Sequence, residues 1–298
     1  MSDKSLEYLK KIESAYKKVN PDIIIQEHNL INDWISQILK SNKLEVEIVG
    51  GPIPTLDLNA TAIRGPENER IIGVNAGLVG YIFECVNSFL SLLFTKNITQ
   101  ESFNDSALNV MLWTWGFIKN QNLGITKSLP LTNPKLLDLC EKLLHSAYCF
   151  ILSHELAHFV LGHLDDKNTY SEKLNLSSSE ELEFFSKSLK QEYEADRKGF
   201  EFTEKHHHQK FGKNDYSFLC SIYYIFGLLE LTELIESHKN FNTHPPAIDR
   251  KKEFLKTYNH ILTEEMKSIN MKIDSFLDQV KSFVNHTKIF AESLKKNN

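Results

Sequence analysis

Apolar residues recur at helical spacing along most of the chain. Leu30, Trp34 and Ile38, for example, are four residues apart and therefore share one face of a helix. Pro21 separates this segment from an earlier periodic one. The pattern predicts helices at about 3–19, 22–40, 76–95, 133–162, 180–208, 216–238, 246–260 and 264–295.

The pattern changes within residues 44–75. Three short stretches there, LEVEIV, TLDLNATAI and RIIGVN, are rich in branched residues and partly alternate between apolar and polar. Gly50-Gly51-Pro52 and Gly65-Pro66 fall between them, as expected for turns between strands. The sequence therefore predicts an α+β, mostly α fold, in which a small antiparallel sheet at about 44–75 lies beside a bundle of long helices.

The chain contains no internal repeat and no change of composition typical of a linker. We therefore expect residues 1–298 to form a single compact unit. Residues 1–132 would supply the N-terminal helices and the sheet, and residues 133–298 the helical core and the C-terminal helix. The apolar stripe of that last helix, which includes Ile273, Leu277 and Val284, can either pack on the body of the protein or form a dimer.

Composition excludes several classes of protein. The 298 residues are 41% hydrophobic and carry a net charge of −5, which offers no general attraction to nucleic acid or to anionic membranes. The most apolar run, residues 218–229, is shorter than the roughly 20 residues that a membrane span needs, so a buried helix is predicted. Four dispersed cysteines and an N-terminus without an apolar signal segment indicate a cytoplasmic protein with reduced thiols.

The helix predicted over 133–162 carries the motif His154-Glu155-Leu156-Ala157-His158. Residues four apart share a helix face, so both imidazoles can reach one metal ion. Glu155 lies about 100° round the helix, where it can take a proton from a water molecule beside the ion. The rest of this helix end is almost wholly apolar, which predicts that the motif is buried in a core.

Catalytic zinc sites use three protein ligands and leave one position open. His163 follows the second histidine by five residues, which does not match the six-residue spacing of known three-histidine motifs. Glu192 is the better candidate, because it lies on the next predicted helix. Asp196, one turn further on, can hold a ligand histidine by its other ring nitrogen. Glu194 is predicted to point into solvent.

These motifs resemble a known family. His154–His158 followed by Glu192-Tyr193-Glu194-Ala195-Asp196, and then by His244-Pro245 with Arg250 downstream, is similar to the gluzincin metallopeptidases of the CaaX prenyl protease and heat-shock membrane protease type. The resemblance implies a zincin-like fold, Glu192 as third zinc ligand and Asp196 as its neighbouring support. It also implies that His244 stabilises the transition state and that Arg250 orders the site.

A fainter resemblance is to phage-exclusion peptidases of the Lit type, which are cytosolic zinc proteases that cut a translation elongation factor. It rests on chain length and on the strand region ahead of the histidine motif. Together the two resemblances imply a soluble zinc endopeptidase that acts on a specific intracellular protein. We expect the enzyme to be latent until phage infection or stress triggers it, because an unregulated cytosolic protease would be toxic.

In the mechanism predicted from these residues, Zn²⁺ is held by His154, His158 and Glu192, while Glu155 moves the proton. A substrate strand would add to an edge of the sheet. The alternative is a non-catalytic zinc-binding interaction or sensor protein. An intact Glu155 favours the enzyme, because a structural zinc site needs no base.

Overall fold

A computed structural model describes residues 21–53, 60–64, 68–75, 78–93, 99–119, 133–164, 169–172, 182–185, 188–236 and 245–296. The helix predicted over 3–19 and the predicted site residue His244 lie outside the described residues.

The described residues are mostly helical. The helices are α1 (Pro21–Asn42), α2 (Leu78–Leu93), α3 (Gln100–Lys119), α4 (Pro134–Val160), α5 (Leu189–Phe211), α6 (Ser217–Ile235), α7 (Ala247–Tyr258) and α8 (Glu264–Lys296). The strands are β1 (Val49–Ile53), β2 (Ala60–Arg64), β3 (Arg70–Asn75), β4 (Thr169–Glu172) and β5 (Leu182–Phe185). This composition confirms the predicted α+β, mostly α class.

Seven of the predicted helices are present within the described part of the chain, and most of their ends agree with the prediction to within a few residues. The exception is α5, which begins at Leu189 instead of near residue 180, because residues 182–185 form β5. The sequence also missed α3, whose polar N-terminal half weakens the helical pattern.

Contacts group the chain into two compact units. The first unit comprises residues 1–78, 148–215 and 241–245, and the second comprises residues 79–147, 216–240 and 246–298. Each unit combines segments from both sides of residue 133, and the predicted division of the chain into residues 1–132 and 133–298 stays a prediction. That the whole chain folds as a single compact unit stays a prediction.

The sheet belongs to the first unit, and its strand order is β1-β3-β2-β5-β4. β1 runs parallel to β3, whereas the β3–β2, β2–β5 and β5–β4 pairs are antiparallel. The antiparallel sheet predicted for 44–75 is therefore mixed. An alternation of apolar residues shows that a segment is a strand, but it does not show the direction of its neighbour. Pro52 lies in the edge strand β1, where its missing N–H is tolerated.

Helix α1 holds the first unit together. It packs against β1 and α5. The Asn32 side chain exchanges hydrogen bonds with the backbone of Gly50 in β1, at 2.7 and 2.9 Å. The Asn42 amide donates to the Phe202 carbonyl of α5 at 3.1 Å. These contacts connect the sheet to the helix that supplies Glu192.

The second unit is built around the apolar helix α6, which packs against α3, α7 and α8. Lys251 of α7 and Tyr223 of α6 both bind the carboxylate of Asp274 in α8, at 2.8 and 2.6 Å. The apolar stripe of α8, including Ile273, Leu277 and Val284, is buried within the protein. A dimer through this helix stays a prediction.

Among the described residues, α6 alone is long and apolar enough to cross a membrane. However, 78% of its apolar window is buried inside the protein. Because a buried core helix meets the same criteria, this is only weak evidence for a membrane span.

Candidate metal centre

Three potential metal ligands from two helices of the first unit lie together. His154 and His158 come from α4 and Glu192 from α5, and all three side chains are buried. The two Nε2 atoms are 3.2 Å apart. Glu192 Oε2 lies 3.3 Å from His154 Nε2, and Glu192 Oε1 lies 3.5 Å from His158 Nε2. Ligand atoms bound about 2.0–2.1 Å from a tetrahedral ion are about 3.3 Å from one another, so the three groups fit a single metal ion.

The start of α5 determines where Glu192 points. Ser188 caps the helix, because its Oγ accepts from the Gln191 N–H at 3.2 Å while the Gln191 side chain accepts from the Ser188 N–H at 2.8 Å. This capping box fixes the first turn of α5. Glu192 therefore lies at the end of that turn, and Asp196 follows one turn later on the same face.

Asp196 orients the first histidine. Its Oδ1 lies 2.9 Å from His154 Nδ1, so the Nδ1–H donates to the carboxylate and Nε2 faces Glu192 and His158. Burial lowers the pKa of His154, but the hydrogen bonds with Asp196 and Glu192 raise it by more, to about 9. A proton and a metal ion therefore compete for this Nε2 atom.

Glu155 is held between the histidines and the sheet. Its Oε2 accepts a hydrogen bond of 2.7 Å from the backbone N–H of Ala62 in β2. Its other oxygen, Oε1, lies 3.8 Å from His154 Nε2 and faces the three potential ligands. The residue is buried. One oxygen is thus anchored by the backbone, and the other remains directed at the position where an ion and a water molecule would lie.

His163 lies on the opposite side of His158. Its Nδ1 is 3.0 Å from His158 Nδ1, and its Nε2 is 3.2 Å from Glu194 Oε2. His163 therefore contacts His158 at Nδ1, while Nε2 of His158 faces the other two potential ligands. This agrees with the five-residue spacing between His158 and His163, which argued against His163 as the third ligand. Glu194, predicted to point into solvent, is partly exposed, and its carboxylate also binds the buried His163, a contact that was not predicted.

The structure says less about the two remaining predicted site residues, His244 and Arg250. His244 is outside the described residues. Arg250 lies in α7 of the second unit, where its guanidinium is 5.4 Å from the centre of the Phe226 ring. The structure thus brings together His154, Glu155, His158, Glu192 and Asp196, while the roles of His244 and Arg250 stay predictions.

Gly199 allows the two ligand-bearing helices to approach closely. A Cβ atom at this position of α5 would lie 3.0 Å from the His154 nitrogen, 3.1 Å from the His154 Cα and 3.3 Å from the Ser153 carbonyl carbon. These are backbone atoms, which cannot rotate away. This contact could not be predicted from the sequence, because one glycine within a helical pattern does not reveal its neighbour.

Replacing Gly199 with Ala is therefore expected to lower the free energy of unfolding by up to about 2 kcal/mol. Overpacking typically costs about 1–3 kcal/mol, and the gain of about 0.5–1 kcal/mol from placing Ala in a helix offsets only part of that cost. The affinity of the three potential ligands for a metal ion, with zinc as the probe, should fall as well, since α4 and α5 must separate. Urea unfolding and zinc titration measure the two effects.

Gly80 provides the matched control for this substitution. It is also a helical glycine, but a Cβ atom there would meet nothing within 4 Å. Gly80→Ala should leave zinc affinity unchanged and slightly raise stability. If Gly199→Ala and Gly80→Ala change the free energy of unfolding and the zinc affinity equally, the close approach of the two helices at Gly199 is contradicted.

Comparison with known proteins identifies the family. No curated protein and no solved structure matches the chain. The sequence model of the family Peptidase U49 matches residues 97–271, which is more than half of the chain and includes α4 and α5 with all three potential ligands. The chain therefore belongs to the Peptidase U49 family and is a peptidase.

Proposed function

We propose that this peptidase is a zinc-dependent endopeptidase of the gluzincin kind, with His154, His158 and Glu192 as the zinc ligands. The observation that carries the proposal is the mutual spacing of the three ligand groups, 3.2–3.5 Å, in a buried site. Two imidazoles and a carboxylate are a donor set that suits zinc.

The hydrogen bonds around the histidines support the same assignment. Asp196 accepts from His154 Nδ1–H, and His163 lies against His158 Nδ1. Once His154 Nε2 has lost its proton, both Nε2 atoms carry lone pairs directed at each other and at the Glu192 carboxylate. Three such groups in a buried site repel unless a cation lies between them: the proton of His154 in the metal-free site, or a metal ion that replaces it.

Bound zinc would lower the pKa of a coordinated water molecule and polarise the scissile carbonyl group. Glu155 supplies the proton transfer: Oε1 accepts the proton of the attacking water and later passes it to the leaving amine. The Ala62 N–H fixes the other carboxylate oxygen and so limits the rotation of the side chain. We assign oxyanion stabilisation to His244 and ordering of the site to Arg250, following the family resemblance.

Strand β2 is the proposed docking edge for the substrate backbone. Because the Ala62 N–H donates to Glu155, the side of β2 away from β3 faces the catalytic carboxylate. Within the described residues, β5 pairs with this side of β2 only at Arg64. A substrate peptide that pairs with Ala60, beside the bond from the Ala62 N–H to Glu155, would bring its scissile bond to Glu155.

We further propose that the enzyme acts in the cytoplasm and is latent until phage infection or stress triggers it. Burial of His158, Glu192 and Glu155 supports latency, because a protein substrate cannot reach side chains that are 0–1% exposed. All four cysteines are free and buried, and burial raises the pKa of each thiol. Unpaired thiols are typical of a reducing compartment.

The proposed function is tested by comparing new protein N-termini in a lysate of the source cell, with and without phage infection. Zinc-loaded wild type and Glu155→Gln are added in parallel. We expect new termini concentrated in one protein, produced by the wild type alone and abolished by a zinc chelator. Termini that persist with a chelator would exclude a zinc enzyme. A lack of new termini in either lysate would favour the non-catalytic zinc-binding protein.

A further inference from the structure

A helix end places His163 against His158. After α4 the chain turns at Gly162, whose φ of +71° lies in the left-handed region that favours glycine. The His163 N–H donates to the His158 carbonyl at 3.0 Å, and the Gly162 N–H donates to the Phe159 carbonyl at 3.3 Å. This is the hydrogen-bond pattern of a Schellman motif. His163 therefore contacts His158 in two ways: through a backbone hydrogen bond and through the 3.0 Å contact between the two Nδ1 atoms.

The proton positions along this contact follow from the chemistry of imidazole. If His158 Nε2 binds an ion, its Nδ1 carries the proton and donates to His163 Nδ1. His163 then carries its own proton on Nε2, which donates to Glu194 Oε2 at 3.2 Å. In the series His158–His163–Glu194, His158 thus donates, His163 accepts at Nδ1 and donates at Nε2, and the Glu194 carboxylate accepts.

We propose that His163 is a positioning residue for His158, and that Glu194 holds His163 in the tautomer that this task requires. The proposal rests on the zinc function proposed above. Neither residue contacts the ion or the substrate. His163 fixes the ring orientation of His158 and makes its Nε2 a better donor, as outer hydrogen-bond partners do in metal sites.

The two histidine ligands are therefore supported differently. His154 donates directly to the buried carboxylate of Asp196, whereas His158 donates to a neutral imidazole, and the corresponding negative charge lies on Glu194 at the partly exposed surface. A second buried carboxylate beside the site would have to be desolvated in addition to Asp196, Glu192 and Glu155. The intervening imidazole avoids that cost while it still accepts the proton of His158.

Metal affinity measured on the purified full-length chain tests the proposal without any need for a substrate. Wild type, His163→Leu and His163→Asn are titrated with Zn²⁺ in competition with a chromophoric chelator, and with Co²⁺ while its visible absorption bands are recorded. Leu removes the acceptor, whereas the Asn side-chain oxygen can occupy the position of Nδ1 and accept the same bond.

We expect His163→Leu to bind Zn²⁺ about 10–100-fold more weakly than the wild type and to change the Co²⁺ spectrum. His163→Asn should recover most of the affinity and the wild-type spectrum. If wild type and His163→Leu bind Zn²⁺ with equal affinity, the inference about His163 is wrong, while the proposed function is unaffected. A wild type that binds neither ion would overturn the proposed function itself.

A second pair of variants covers the case in which His163→Leu does not fold. Glu194→Leu removes the partner of His163 from a partly exposed position of α5, and Glu201→Leu makes the same change at an exposed glutamate of the same helix. Glu194→Leu should weaken Zn²⁺ binding, while Glu201→Leu should leave it unchanged. Equal zinc affinity of these two variants would contradict the role of Glu194.

Discussion

Replacing Glu155 with Gln is expected to lower kcat by about 10²–10⁴-fold on the protein substrate, the range that general acid–base groups contribute. The amide cannot take a proton from water, although its oxygen can still accept the 2.7 Å bond from the Ala62 N–H. One zinc ion per chain should remain bound, because Glu155 is not among the three proposed ligands. Steady-state cleavage assays and metal analysis measure the two properties on the same sample.

Glu201→Gln is the control for this prediction, since it makes the same change at an exposed position of α5. It should cleave at the wild-type rate. Full activity of Glu155→Gln would exclude the proposed proton transfer. Loss of the ion together with the activity would instead show that Glu155 takes part in binding the metal.

Replacing Glu192 with Gln is expected to remove the ion itself. The substitution keeps the shape of the side chain but exchanges a carboxylate for an amide, which is a poor ligand for zinc. Zinc affinity should fall by more than the roughly 10–100-fold that loss of an outer hydrogen-bond partner costs, and activity should disappear with it. Competition with a chelator of known affinity measures the loss.

The two variants give opposite results for metal binding, although both are expected to be inactive. An active, zinc-loaded Glu192→Gln variant would exclude Glu192 as a ligand and would direct attention to another carboxylate. Metal analysis of the wild type as purified establishes in the same experiment which ion the protein carries.

Features that depend on local sequence were the ones that could be predicted. His154 and His158 share a face because they are one helical turn apart, and Glu192 and Asp196 do so for the same reason. The helix end at Gly162 also followed from the sequence, since glycine favours that position. These features need only the period of a helix and the preferences of single residues.

The approach of Glu192 and Asp196 to the histidine motif was predicted with the help of the family resemblance. Other features that depend on pairing between distant segments could not be predicted. The parallel direction of β1 against β3, the bond from Ala62 to Glu155 and the packing of Gly199 on His154 each join residues far apart in the chain. The contact between His163 and Glu194 also crosses between two helices. A Schellman glycine four residues after the second histidine was the one sequence signal that could have identified His163 as a neighbour of His158.

The ligands come from two segments of the chain, and this separation has a consequence for stability. An ion bound by both His158 and Glu192 is a cross-link that closes a loop of about 35 residues. By the chain-entropy estimate used for disulfides, closing such a loop raises the free energy of the unfolded chain by about 4 kcal/mol. This is a large share of the roughly 5–15 kcal/mol by which a folded domain is typically more stable than its unfolded state. The supply of zinc in the cell would then regulate the lifetime of the protein as well as its activity.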